Sequence, residues 1–148
     1  MKKVVCFLLA FLAIIPGIFL AGCKDKDTAE NVRNRTYYVT MFKIDSVDKT
    51  STKTNQKMRI IFTDDNFKMV IGEESNAATY GYYLGTYTIE DNTITLKTTK
   101  SGGTLENIKK SATLKDYLIE TLYYNEGTLH SEFVNNGNII QYQFKLPN

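Results

Sequence analysis

Residues 58–71 read MRIIFTDDNFKMVI. Met58, Ile60 and Phe62 alternate with Arg59, Ile61 and Thr63. After Asp64-Asp65-Asn66, Phe67, Met69 and Ile71 alternate with Lys68 and Val70. A period of two places successive side chains on opposite faces of a strand. Asp and Asn favour turns because their short side chains bond nearby backbone. The segment is therefore read as a β-hairpin with one apolar face.

The pattern continues downstream. Tyr80, Tyr82 and Leu84 share one face, Tyr87 and Ile89 the next, with the phase slipping by one across Gly85. Such a slip at glycine predicts a bulge or a corner bend. Asp91-Asn92 turns the chain into Ile94 and Leu96, with Thr93, Thr95 and Lys97 outward. Asn125-Glu126-Gly127 and Asn136-Gly137 are two more turns. Leu129 and Phe133 are apolar positions of the strand between them, and Ile140, Tyr142, Phe144 and Leu146 of the strand after them. Tyr117 to Tyr124 is apolar on both faces and is read as a strand from its aromatic and β-branched content. Lys100 to Lys110 is read as a connection with one helical turn around Leu105 to Lys109. Arg35 to Val47 supplies the first strand, and Asp48 to Lys57 a long polar first loop. The count is about eight strands, mostly with short connections. The expected class is all-β: an antiparallel eight-stranded meander, closed or nearly closed into a barrel, with a β-sandwich as the alternative. Closure removes exposed sheet edges.

The run Gly85-Thr86-Tyr87-Thr88-Ile89-Glu90-Asp91-Asn92-Thr93-Ile94-Thr95-Leu96 resembles the central strand-turn-strand of the lipocalin-like small lipoproteins of bacteria. The preceding hairpin and the long first loop fit the same scheme. The resemblance implies a calycin-type barrel over 35–148, a first loop covering the barrel mouth, and a small apolar or amphiphilic ligand.

The N-terminus is of a different kind. Lys2 and Lys3 precede an uncharged apolar run from Val4 to Leu20, the layout of a secretory signal. Leu20-Ala21-Gly22-Cys23 follows and resembles the bacterial lipobox. That resemblance implies diacylglycerol transfer to the Cys23 thiol and cleavage of residues 1–22. Acyl chains anchor through burial of about 0.8 kcal/mol per CH₂. The expected location is the bacterial cell membrane or outer membrane, with the domain outside the cytoplasm. An uncleaved membrane helix is the competing reading of the same run. Lys24 to Asn34 is polar, with Val32 its only large apolar residue. Residues 23–34 are therefore expected to be a lipidated Cys and a flexible tether. Its 11 residues after Cys23 extend to about 36 Å.

Composition narrows the chemistry. The 148 residues hold 18 basic and 16 acidic side chains, one His, two Cys and no Trp. Removing Lys2 and Lys3 leaves 16 against 16, so bulk charge selects no partner and nucleic acid is not expected. With His130 alone, a two-His metal site is impossible within one chain. Cys6 leaves with the signal and Cys23 is acylated, so no thiol nucleophile remains. His130, flanked by apolar Leu129, is expected at the surface beside Glu132. Asp64-Asp65 and Glu73-Glu74 are adjacent pairs at turns and strand ends, not general acid–base pairs. No catalytic residue, metal or cofactor is therefore assigned.

The ten tyrosines carry most of the remaining interest. Tyr couples a large apolar body to a polar tip. Tyr80, Tyr82, Tyr87, Tyr142 and Phe144 are the candidate ligand-lining residues if the barrel is hollow. Cross-strand aromatic packing is the alternative use of the same residues. Two functions follow: a carrier of a small lipophilic ligand, or a module that binds a protein such as an envelope enzyme.

Overall fold

The computed structural model describes residues 27–52, 55–103 and 117–148. The segment expected to be a signal, Cys23 and the turn expected around Leu105 to Lys109 lie outside the described residues.

Among the described residues nine strands run in chain order: β1 (Thr36–Ile44), β2 (Val47–Asp48), β3 (Arg59–Phe62), β4 (Asn66–Ile71), β5 (Gly81–Glu90), β6 (Thr93–Gly103), β7 (Thr121–Asn125), β8 (Thr128–Asn135) and β9 (Asn138–Lys145). β2 is a two-residue addition to the end of β1. From β3 onward each strand pairs antiparallel with the next, β1 pairs with β3, and β1 also pairs with β9. The result is an all-β, closed, eight-stranded antiparallel barrel with one extra strand, and not an open sandwich.

The 58–71 hairpin forms as read: Ile60 faces Met69 and Phe62 faces Phe67 across the β3–β4 pair. Ile60, Phe62, Phe67, Met69 and Ile71 are all buried in the core. Glu126-Gly127 and Asn136-Gly137 take left-handed φ values at both central positions. That is the backbone of the two-residue turn that matches strand twist.

The two ends of the barrel differ. One end carries the β3–β4, β5–β6 and β7–β8 turns; the other carries the first loop, the Gly72–Tyr80 loop and the β8–β9 turn. The first end is plugged. Ala29–Val32 form a 3-10 turn with Ala29 and Val32 wholly buried in the core. The stretch expected to be a free tether is therefore corrected from Asp27 onward. Two small apolar side chains suffice because they complete an existing core and need not build one. Polar latches hold the plug. Tyr124 Oη donates to the Asp27 carboxylate. Arg33 donates to the Asp64 carbonyl, and Asn34 Nδ2 donates to Asp64 Oδ1 at 2.7 Å. The Arg33 guanidinium also lies 5.6 Å from the Tyr87 ring centre.

The opposite end is capped by its loops. Asn55 in the first loop is buried; it donates to the Lys49 carbonyl at 2.7 Å and accepts from Tyr117 Oη at 3.2 Å. The first loop thus reaches in over the mouth and is held there by a buried amide.

Candidate functional site

Three of the five candidate lining residues point inward: Tyr87, Tyr142 and Phe144 are buried in the core. Tyr80 and Tyr82 do not. Along β5, Gly81, Tyr83, Gly85 and Tyr87 are inward, while Tyr82 and Leu84 lie on the outer face. The expected phase slip across Gly85 is therefore corrected on β5 itself. The register slips on the partner strand instead: Leu84 faces Lys100 and Gly85 faces Thr98, leaving Thr99 as the extra residue. A Cβ at Gly85 would lie 1.9 Å from the Lys97 carbonyl oxygen, so glycine is needed for close approach of β6, not for a bend.

Tyr80 and Tyr82 serve an outer cluster. Their rings lie 5.8 Å apart, and Lys68 Nζ sits 5.1 Å from the Tyr82 ring centre. Glu74 faces Arg59 at 3.8 Å, Lys68 at 3.6 Å and Tyr80 Oη at 3.3 Å. Glu73 pairs with Lys57 at 3.2 Å. The adjacent carboxylates are thus ion-pair partners that fasten the β4–β5 loop over the outer face. Among the described residues no group of three or more His, Cys, Asp or Glu is placed to hold a metal.

The interior is occupied. Tyr37, Phe42, Phe62, Phe67, Tyr83, Tyr142 and Phe144 are fully buried there. Phe42 stacks on Tyr142 at 4.6 Å between ring centres, Tyr142 on Phe144 at 5.7 Å, and Phe62 meets Tyr87 edge-on at 5.1 Å. Aromatic cross-packing, the alternative use of these tyrosines, fills the space that an axial ligand would need.

Tyr83, like Tyr37 and Phe42, is an interior residue that sequence reading missed. Its hydroxyl donates to the Tyr117 carbonyl at 2.8 Å and accepts from the Ile119 N–H at 3.0 Å. Burial pushes its pKa up, partly offset by the Ile119 N–H. Counting back by twos from Tyr87 finds it. The signal is weak because Gly81 and Gly85 leave the inward face blank on either side.

Those two hydrogen bonds bear on the wall. The segment read as one strand from Tyr117 to Tyr124 is strand only from Thr121; before it Ile119 is buried and Glu120 is exposed. The Glu120 carbonyl accepts from Leu96 N–H at 2.8 Å, so this segment stays with β6. β8 pairs with β7 only from Thr128 to His130, then continues beside β9 as far as Asn135. Ser131 Oγ donates to the Thr121 carbonyl at 2.7 Å where the two walls part. Beyond it lies a side cavity of about 450 Å³. Its apolar lining is Leu118, Tyr123, Phe133 and Val134; its polar lining includes Glu120, Ser131 and Glu132. Glu132 Oε2 accepts from Gln141 Nε2 at 2.7 Å. His130, half-buried, faces Tyr123 across the β7–β8 pair.

A family model for the lipocalin-like domain matches residues 34–129. The chain belongs to this lipocalin-like family. Among solved structures, an uncharacterized protein from Bacteroides eggerthii DSM 20697 is similar at 12% identity. That match covers 76% of this chain and 98% of the other, with a TM-score of 0.49. No curated protein matches.

Proposed function

We propose that this protein is an envelope lipoprotein that binds a small amphiphilic ligand in the side cavity between the Leu118–Thr121 segment and the second half of β8. The cavity's volume carries the reading: about 450 Å³ is within the range of small-molecule sites. Its lining pairs aromatic and aliphatic side chains with a few polar groups, the usual composition of such sites. Membership of a lipocalin-like family agrees with binding rather than catalysis. The occupied interior speaks for a lateral site over an axial one.

The neutral apolar dye N-phenyl-1-naphthylamine tests the site. Saturable fluorescence enhancement is expected, and Tyr123→Ala with Val134→Asp should weaken it about tenfold, a change of 1.4 kcal/mol. Enhancement that is absent, or unchanged in the double variant, overturns the reading.

Attachment to the membrane through a lipid on Cys23 is the second part of the proposal. The supporting observation is the order of Lys2-Lys3, an apolar run and Leu20-Ala21-Gly22-Cys23. Cys23→Ser should leave the chain unacylated and free of the membrane fraction; unchanged retention refutes lipid anchoring.

Binding of an envelope protein has its own observation. Val134 and Ile139 face each other across β8–β9 and are 70% and 46% exposed. Paired exposed aliphatics beside a cavity suit a macromolecular contact. Ile139→Asp leaves the cavity lining unchanged, so loss of a cellular phenotype in that variant with dye binding retained favours this second reading.

A further inference from the structure

We infer that the side cavity selects a cationic amphiphile: an apolar chain or ring that carries an ammonium group. This rests on the side cavity being the binding site, as proposed above, and names the class of ligand that the site takes.

The charged side chains of the lining are both acidic. Glu120 and Glu132 border the cavity, and no Lys, Arg or His does. Glu132 accepts from Gln141, a neutral donor, at 2.7 Å. Among the described residues the ion pairs lie elsewhere, on Glu30, Asp65, Glu73 and Glu74. Lys97 on β6 and His130 on β8 belong to the adjoining strands, and neither pairs with these two carboxylates. Among the described residues, then, two negative charges border one concavity without a counter-ion. A cleft lined by one sign of charge and walled by apolar groups focuses its field. It thereby concentrates ions of the opposite sign.

The uncharged polar lining agrees. Ser131 is 4% exposed and lines the cavity, and its hydroxyl donates to the Thr121 carbonyl at 2.7 Å. A serine hydroxyl has one proton and two lone pairs, so Ser131 has only acceptor capacity left. Ionised carboxylates also only accept. Glu120, Ser131 and Glu132 therefore call for a donor. An ammonium group brings donors alone, together with a positive charge. A carboxylate head would set acceptor against acceptor and charge against like charge.

The rest of the lining suits the remainder of such a molecule. Leu118, Phe133 and Val134 supply apolar surface. The ring faces of Tyr123 and Phe133 attract a cation as well as a hydrocarbon. Glu120 and Glu132 are exposed, so water and salt moderate their pull. The expected selectivity is about tenfold between an ammonium and a carboxylate on the same chain.

The test is displacement of N-phenyl-1-naphthylamine from the full chain, as processed by a bacterial host and held in phosphatidylcholine nanodiscs. Empty nanodiscs give the background. At neutral pH octylammonium should displace the dye at about tenfold lower concentration than octanoate. In Glu120→Gln with Glu132→Gln that ratio should fall to about twofold or less, with dye affinity unchanged. Partition into lipid is common to both proteins and drops out of the comparison. Glu120→Gln alone, at an exposed position, serves if the double variant does not fold. There the ratio should fall by about threefold. A ratio near one in the wild type, a preference for octanoate, or a ratio that the substitutions leave unchanged overturns the cation preference while the cavity reading stands. Absence of saturable dye binding overturns the cavity reading and the cation preference with it.

Discussion

The Tyr83 hydroxyl accepts a hydrogen bond from the Ile119 N–H at 3.0 Å, across the interior from β5 to the segment before β7. The same oxygen donates to the Tyr117 carbonyl at 2.8 Å. One buried phenol thus satisfies two backbone groups of a segment that makes no sheet ladder of its own there. Leu118, between the two bonded residues, lines the side cavity. Tyr83→Phe keeps the ring against Phe67 but orphans both groups. Urea unfolding should show a loss of about 1–3 kcal/mol. Hydrogen exchange at Ile119 should accelerate more than at Leu96.

Tyr37 is the opposite case. Its ring packs edge-on to Phe62, but its buried hydroxyl has no partner among the described residues. Tyr37→Phe should be neutral or should raise stability by about 1 kcal/mol, because an unsatisfied buried polar group is removed. A clear loss in the same urea assay would show that the hydroxyl has a partner in solution.

The pH dependence follows from the same residue. Burial, with lesser contributions from Tyr124 and Asp27, pushes Tyr37 up from 10.0 to about 12. A raised folded value means that the neutral phenol is favoured by the fold. Its contribution is complete below pH 10 and is lost as the pH climbs toward 12. Tyr83, Tyr87 and Tyr124 are raised in the same direction, each first by burial. Thermal melts should therefore hold steady on the acid side of pH 10 and fall on the alkaline side. Tyr37→Phe should make that alkaline fall shallower.

Gly85 and Gly127 separate two uses of glycine. At Gly85 a Cβ would meet β6 backbone at 1.9 Å. Gly85→Ala should cost about 3 kcal/mol or more, since the obstacle is main chain and must move. At Gly127, φ is +74° and nothing lies within 4 Å of an added Cβ. Gly127→Ala should cost only about 1 kcal/mol, the penalty of a left-handed alanine. Equal losses in thermal melts would contradict the close-approach account.

Arg33→Ala tests the plug. It removes the contact with the Asp64 carbonyl, the 2.6 Å pair with Glu30 and the approach to the Tyr87 ring. Global stability should drop by about 1 kcal/mol, since this arginine is partly exposed. Protease cleavage before Thr36 should rise by a larger factor than cleavage within the barrel. Cleavage that rises equally everywhere would mean that the plug has no local stability of its own.

Alternation and turn chemistry by themselves determined the hairpins and the meander. Met58, Ile60, Phe62, Phe67, Met69 and Ile71 announce their face because each is a large side chain on a period of two. Glu126-Gly127 and Asn136-Gly137 announce their turns through residues that accept a left-handed backbone. Both signals are local, so they survive in the sequence. The tertiary structure decided the rest, because those features depend on what lies across the barrel. The inward glycines of β5 are blank in sequence, so the outward Tyr80, Tyr82 and Leu84 looked like the core face. Ala29 and Val32 look too few to fold, yet they complete a core built by residues distant in the chain. The Tyr117 to Tyr124 run is apolar on both faces, and only the fold divides it into a stretch bonded to the Tyr83 hydroxyl and a strand. The side cavity lies where that division parts β7 from β8, a place no local pattern marks.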